Sequence, residues 1–105
     1  MEWVVGRILR SPGEPFDVRA LARECRLSEA QFRRVFERFT GQPPLEFVTA
    51  KRLERAKALL ARGLPIKQVA EESGYPDPCY FMRVFRRVTG ATAGAFVRDN
   101  LARPL

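Results

Sequence analysis

The chain contains no histidine, and of its 105 residues only Cys25 and Cys79 are cysteine. Without imidazole it lacks the commonest general base and metal ligand, the one side chain that ordinarily titrates near neutral pH. Two thiols cannot complete a four-ligand zinc site, and their spacing matches no metal motif. A glycine-rich phosphate loop is missing as well. Conventional catalysis, bound metal and cofactors are therefore not expected. No apolar run approaches the roughly 20 residues that span a bilayer. The start, "MEWVVGRILRSPG", lacks the basic region, long apolar stretch and cleavage site of a secretory signal. A cytoplasmic, membrane-free protein is expected.

What remains is apolar and basic. The apolar fraction of 46% and eight phenylalanines suit a folded domain, or two very small ones sharing a core. Formal charge is +7, carried by sixteen Arg and three Lys; residues 1–50 contribute +1 and residues 51–105 contribute +6. That balance suits a polyanionic partner, a nucleic acid or an anionic surface, and charge alone does not choose between them.

Helical spacing runs through the whole chain, and no segment alternates with period two for long enough to make a strand. Trp3, Val4, Val5, Ile8 and Leu9 mark a first short helix stopped by "SPGEP". Asp17 caps a second, with Val18, Leu21, Ala22 and Cys25 on one side. Ser28 caps a third, whose Phe32, Val35, Phe36 and Phe39 form the expected buried stripe before Gly41 ends it. Pro43 and Pro44 open a longer helix to about Arg62, buried through Phe47, Val48, Leu53, Ala56, Leu59 and Leu60.

Then the pattern restarts. "IKQVAEESG" mirrors "VRALARECR" at an offset of 48, pairing Val18 with Ile66, Leu21 with Val69 and Ala22 with Ala70. "YFMRVFRRVTG" (80–90) repeats "QFRRVFERFTG" (31–41) at an offset of 49, with seven of eleven positions identical. Asp77 caps the copy with Pro78 at its first position, Phe81, Val84, Phe85 and Val88 repeat the stripe, and a last helix runs from about Thr92 to Asn100. Each unit is thus a short helix, a tight turn and a second helix, the helix-turn-helix arrangement.

At 100° per residue, the outer arc of the first copy holds Ala30, Arg33, Arg34 and Glu37, flanked by Gln31 and Arg38. In the second it holds Cys79, Met82, Arg83 and Arg86, flanked by Tyr80 and Arg87. Buried letters are nearly kept; among outer ones only Arg34/Arg83 and Arg38/Arg87 survive. A helix-turn-helix sets the N-terminal part of its second helix against base edges, where arginine pairs bidentately with guanine. Arg33, Arg34 and Arg83 are the expected readers, and Ala30, Cys79, Tyr80 and Met82 the apolar contacts. Arg38, Arg86 and Arg87 lie further along and suit phosphates, which position without specifying. Charge on an outer helix face is by default merely solvated; retention of Arg34/Arg83 while neighbours change argues for more. The linking helix, at roughly 28 Å for 1.5 Å per residue, approaches the roughly 34 Å between successive major-groove faces. A helix that only packs between two small bundles has the same length.

"IKQVAEESGYPDPCYFMRVFRRVTGATAGAFVR" (66–98) resembles the C-terminal signature of the AraC/XylS family of bacterial transcription regulators. The likeness rests on its I-x-x-V-A-x-x-x-G-Y start, Tyr80-Phe81, the F-x-R-x-F core and the spacing from Gly90 to Phe96. "SEAQFRRVFERFTGQPPLEFVTAKRLERAKALL" (28–60) resembles the first motif and connecting helix, with Arg52-Leu53, Ala56 and Leu59-Leu60. The resemblance implies an all-α, seven-helix domain with two helix-turn-helix subdomains, homeodomain-like, joined by a long linker helix. It assigns residues 1–42 to the first unit, 43–62 to the connecting helix and 63–105 to the second unit.

It also implies binding to asymmetric promoter DNA in the bacterial nucleoid, transcriptional activation and contact with RNA polymerase. Its reading positions fall on Ala30, Arg33 and Arg34, then Cys79, Tyr80, Met82 and Arg83. Many members carry an N-terminal effector-binding, dimerising domain, which 105 residues cannot include; such a domain would belong to a longer parent chain. This chain departs from the pattern at three places. Ala93 replaces the usual proline of the last helix and Gly94 follows, so a weak start is expected there. Val97 replaces an arginine, with Arg98 one place later. Arg26 stands where the second turn has Gly74, at a cost of about 1–2 kcal/mol if the turn is left-handed. Two rival readings stand beside this one: a DNA-alkylation sensing or repair module with Cys79 as its reactive thiol, and a helical protein-interaction module.

Overall fold

The computed structural model describes residues 1–102, without the side chains of residues 101 and 102. Residues 103–105, the end of the span expected to form the second unit, lie outside the described residues. Among the described residues there are seven helices and no strand: α1 (Glu2–Arg10), α2 (Val18–Glu24), α3 (Glu29–Thr40), α4 (Pro44–Ala61), α5 (Ile66–Glu72), α6 (Pro78–Thr89) and α7 (Ala93–Ala102). The chain divides into two compact units, Met1–Lys51 and Arg52–Leu105, with the boundary inside α4.

Each unit has its own core. In the first, Val4, Val5 and Ile8 of α1 meet Leu21 and Ala22 of α2, Phe32 and Phe36 of α3, and Phe47 and Val48 from the start of α4. In the second, Leu53, Ala56, Leu59 and Leu60 from the rest of α4 meet Val69 and Ala70 of α5, Tyr75, then Phe81, Val84 and Phe85 of α6, and Ala93 of α7. One helix therefore serves two cores with successive stretches of its length. In the second unit it fills the place that α1 fills in the first. Each buried phenylalanine is worth about 1.5–3 kcal/mol relative to exposure, so the Phe32/Phe36 and Phe81/Phe85 pairs anchor their units.

The copy extends further than the eleven-residue repeat. Phe36 meets Phe47 edge-on, with centroids 5.5 Å apart and planes at 77°. Phe85 meets Phe96 in the same way, at 5.8 Å and 70°. The pairs share the 49-residue offset, as do buried Pro44 and Ala93 at the starts of α4 and α7. A T-shaped pair adds about 0.5–1.5 kcal/mol beyond its buried area.

The turns are copied bond for bond. The Leu27 N–H donates to Ala22 O at 2.9 Å, and the Tyr75 N–H donates to Ala70 O at 2.8 Å. Both turns need a left-handed residue. Gly74 supplies it at φ +95°, while in the first unit Arg26 adopts φ +57°, so the anticipated cost of about 1–2 kcal/mol is present.

Three expectations need correction. The last letters of the two stripes are not buried: Phe39 is 52% exposed and Val88 50%. The short helices α2 and α5 rise only about 10 Å and cannot cover twelve-residue partners of about 18 Å. Val35 is 36% exposed although Val84, its repeat partner, is buried, so the stripe is narrower in α3. Trp3 and Leu9 also face outward, because α1 turns only Val4, Val5 and Ile8 inward. α7 begins at Ala93 itself, and the Thr92 hydroxyl accepts from the Ala95 N–H at 3.0 Å, a cap that holds the turn without proline.

Candidate nucleic-acid interface

The two second helices start on different caps. At α3 the Ser28 hydroxyl accepts from the Gln31 N–H at 3.1 Å, while Gln31 Oε1 accepts from the Ser28 N–H at 3.0 Å. This reciprocal box satisfies two donors that a helix start otherwise leaves unpaired. At α6 the Asp77 carboxylate accepts from the Cys79 N–H at 2.9 Å, and Pro78 has no N–H to satisfy. Both helices end alike. Thr40 Oγ1 lies 2.9 Å from Phe36 O and accepts from the Gln42 N–H, and Thr89 Oγ1 lies 2.7 Å from Phe85 O and accepts from the Ala91 N–H. Gly41 and Gly90 then turn the chain at φ +84° and +82°. The repeated Thr-Gly is thus a stop.

The supports behind each helix also differ. In the first unit, Arg19 of α2 donates through Nε to Glu29 of α3 at 3.0 Å, a charge-assisted bond across the turn. In the second, Arg55 of α4 donates to the carbonyl of Glu72 at the end of α5 at 3.0 Å and lies 3.9 Å from its carboxylate. A cation there also complements the negative end of the helix dipole.

All the sequence-derived site residues are exposed. Ala30, Gln31, Arg33, Arg34 and Arg38 lie together on α3, and Cys79, Tyr80, Met82, Arg83, Arg86 and Arg87 on α6. Among the described residues, none of Arg33, Arg34, Arg38, Arg83, Arg86 and Arg87 has a carboxylate partner. The six guanidiniums keep their donors available. Gln31 has its amide oxygen in the capping box, leaving its NH2 group to donate outward. Cys79, a free thiol, is exposed at the second position of α6, whereas Cys25 is partly covered behind its unit's turn.

One arrangement was missed from sequence. The Arg83 guanidinium lies over the Tyr80 ring, 5.8 Å from its centroid. Tyr80 meets the buried Tyr75 ring at 5.9 Å, and the Arg52 guanidinium covers Tyr75 at 5.3 Å. The available signal was that Tyr80 and Tyr75 stand where the first unit has Gln31 and Leu27.

Two helix-turn-helix units, each exposing arginines on its second helix, are the arrangement the structure shows. A family model described as a helix-turn-helix domain matches residues 21–99. The RCS-specific HTH-type transcriptional activator RclR of Escherichia coli (strain K12) is 33% identical over 94 residues, 89% of this chain and 33% of that protein. The arabinose operon regulatory protein of the same organism is 33% identical over 82 residues, 77% of this chain and 28% of that protein. Among solved structures, the DNA-binding domain of the global transcriptional factor AdpA, in complex with a target DNA, superimposes with a TM-score of 0.89. It is 31% identical, and the match covers 97% of this chain and 93% of that one. The chain belongs to the AraC/XylS family of transcriptional regulators and corresponds to its DNA-binding domain. It spans about a third of the length of the curated relatives named here.

Proposed function

We propose that this chain is the sequence-specific DNA-binding part of a bacterial transcriptional regulator, an activator, whose two units read dissimilar segments of one asymmetric site. The observation that carries the reading is the selective copying of α3 into α6. Buried Phe32/Phe36 recur as Phe81/Phe85, whereas on the exposed face Arg33 becomes Met82 and Glu37 becomes Arg86. A scaffold kept under a changed face is what two readers of different sequence need.

Arg33, Arg34 and Arg83 read base edges, where a bidentate pair discriminates by about 1–3 kcal/mol. Ala30, Cys79 and Met82 supply apolar contacts such as thymine methyls, Tyr80 lies beside them under Arg83, and Gln31 donates from the flank. Arg38, Arg86 and Arg87 bind phosphates. Residues 1–42 and 63–105 act as the two reading units, with 43–62 as the segment that connects them. RNA polymerase is the proposed protein partner and the site of action is the nucleoid; an effector-binding domain would be a partner where this chain is part of a longer regulator. The domain itself works without enzymatic chemistry.

In-vitro selection from a random duplex pool tests this. The expected product is a site with two unlike halves, bound with a steep salt dependence. Enrichment of a symmetric site, or no enrichment, would overturn the proposal.

A further inference from the structure

Arg83 and Arg34 occupy the same position of the repeat, but only Arg83 is supported from below. A lone exposed arginine samples many rotamers, and ordering them opposes each directional bond it makes. In the second unit this freedom is already reduced. The Arg83 guanidinium sits 5.8 Å from the Tyr80 centroid, one helical turn away at i, i+3, within the range of a cation–π contact. Tyr80 is itself steadied, its ring 5.9 Å from Tyr75. Tyr75 is buried, packed 5.9 Å from Phe81 of the core and covered by Arg52 at 5.3 Å. Support thus runs from core to surface: Phe81, Tyr75, Tyr80, Arg83. In the first unit Gln31 stands in the place of Tyr80, its amide oxygen held by the Ser28 N–H, and Leu27 stands in the place of Tyr75. Among the described residues no ring lies over Arg34.

We propose that Tyr80 is a positioning residue that holds the Arg83 guanidinium in its reading direction through the Tyr75–Tyr80 stack, making the second unit the stricter reader. This rests on Arg83 being a base reader. It assigns Tyr80 a role acting through Arg83 in place of a direct contact with DNA.

The test is a double-mutant cycle on the best duplex from the random-pool selection and its single base-pair variants. Arg83→Ala is expected to relax selection at one base pair. Tyr80→Leu is expected to relax the same base pair by about 2- to 5-fold, the factor corresponding to an exposed cation–π contact. Its salt slope should match the wild type, Tyr80→Phe should retain the selectivity, and in the Arg83→Ala background Tyr80→Leu should add nothing. Thermal unfolding of each variant separates loss of fold from loss of reading. If Tyr80→Leu costs the same with or without Arg83, or weakens all duplexes evenly, Tyr80 acts on its own and the positioning role is overturned. If Arg83→Ala relaxes no base pair, the reading of Arg83 itself is wrong and the inference falls with it.

Discussion

Arg34 extends from α3 with no ring beneath it, while Arg83 on α6 lies over Tyr80, yet the helices below them are close copies. Both carry a buried Phe pair, a closing edge-on phenylalanine, the same turn bond and the same Thr-Gly stop. The units differ in what surrounds that frame: a reciprocal capping box against an Asp-Pro start, and an arginine against a glycine in the left-handed turn. Between the copies the buried phenylalanine pair is kept, while outer letters change at Arg33/Met82 and Glu37/Arg86 and smaller covered positions change at Leu21/Val69 and Pro44/Ala93. The physical reason is that one missing buried ring costs more than any single outer contact supplies.

The largest expected effect tests the sameness of the cores. Phe36→Ala and Phe85→Ala should each destabilise their unit by about 3–5 kcal/mol, read by denaturant unfolding. A much smaller loss at one position would mean that the cores are not equivalent. Next come the outer faces. Arg34→Ala and Arg83→Ala should each cost about 1–3 kcal/mol of discrimination, at different base pairs, in competition binding. Arg87→Ala should instead weaken all duplexes alike and flatten the salt slope by about one. Equal, sequence-independent losses from all three would erase the division between readers and phosphate contacts.

The turns give a smaller and signed difference. Arg26→Gly should stabilise the first unit by about 1 kcal/mol, and Gly74→Arg should destabilise the second by about 1–2 kcal/mol. Both are read as shifts in the unfolding midpoint. Smallest is the cap: Gln31→Ala should lower stability by about 0.5–1 kcal/mol.

Most of the fold was legible because its determinants are local or periodic. Asp17, Ser28 and Asp77 stand where caps must stand, and Pro78, Gly41 and Gly90 mark helix starts and stops. The 48- and 49-residue offsets exposed the duplication. The helical period misjudged the ends of the stripes, because the angle of Phe39 or Val88 says which face it lies on and not whether a neighbour reaches it. The Phe47/Phe96 correspondence does not stand out in the sequence because the residues around it differ; their edge-on packing marks it. The exposed arginines were found from their angles alone. The ring beneath Arg83 was not.

The sequence by itself determined that this protein is helical and duplicated, with a basic outer face on each second helix and the signature of its family. Such properties follow from which residues recur and at what spacing. Tertiary structure alone decided which stripe residues are covered, how α4 divides its length between two cores, and that Arg83 is braced while Arg34 is not. The last depends on Tyr75 meeting Tyr80 and Arg52 through space, and spacing along a chain does not encode the distance between side chains that different helices and turns bring together.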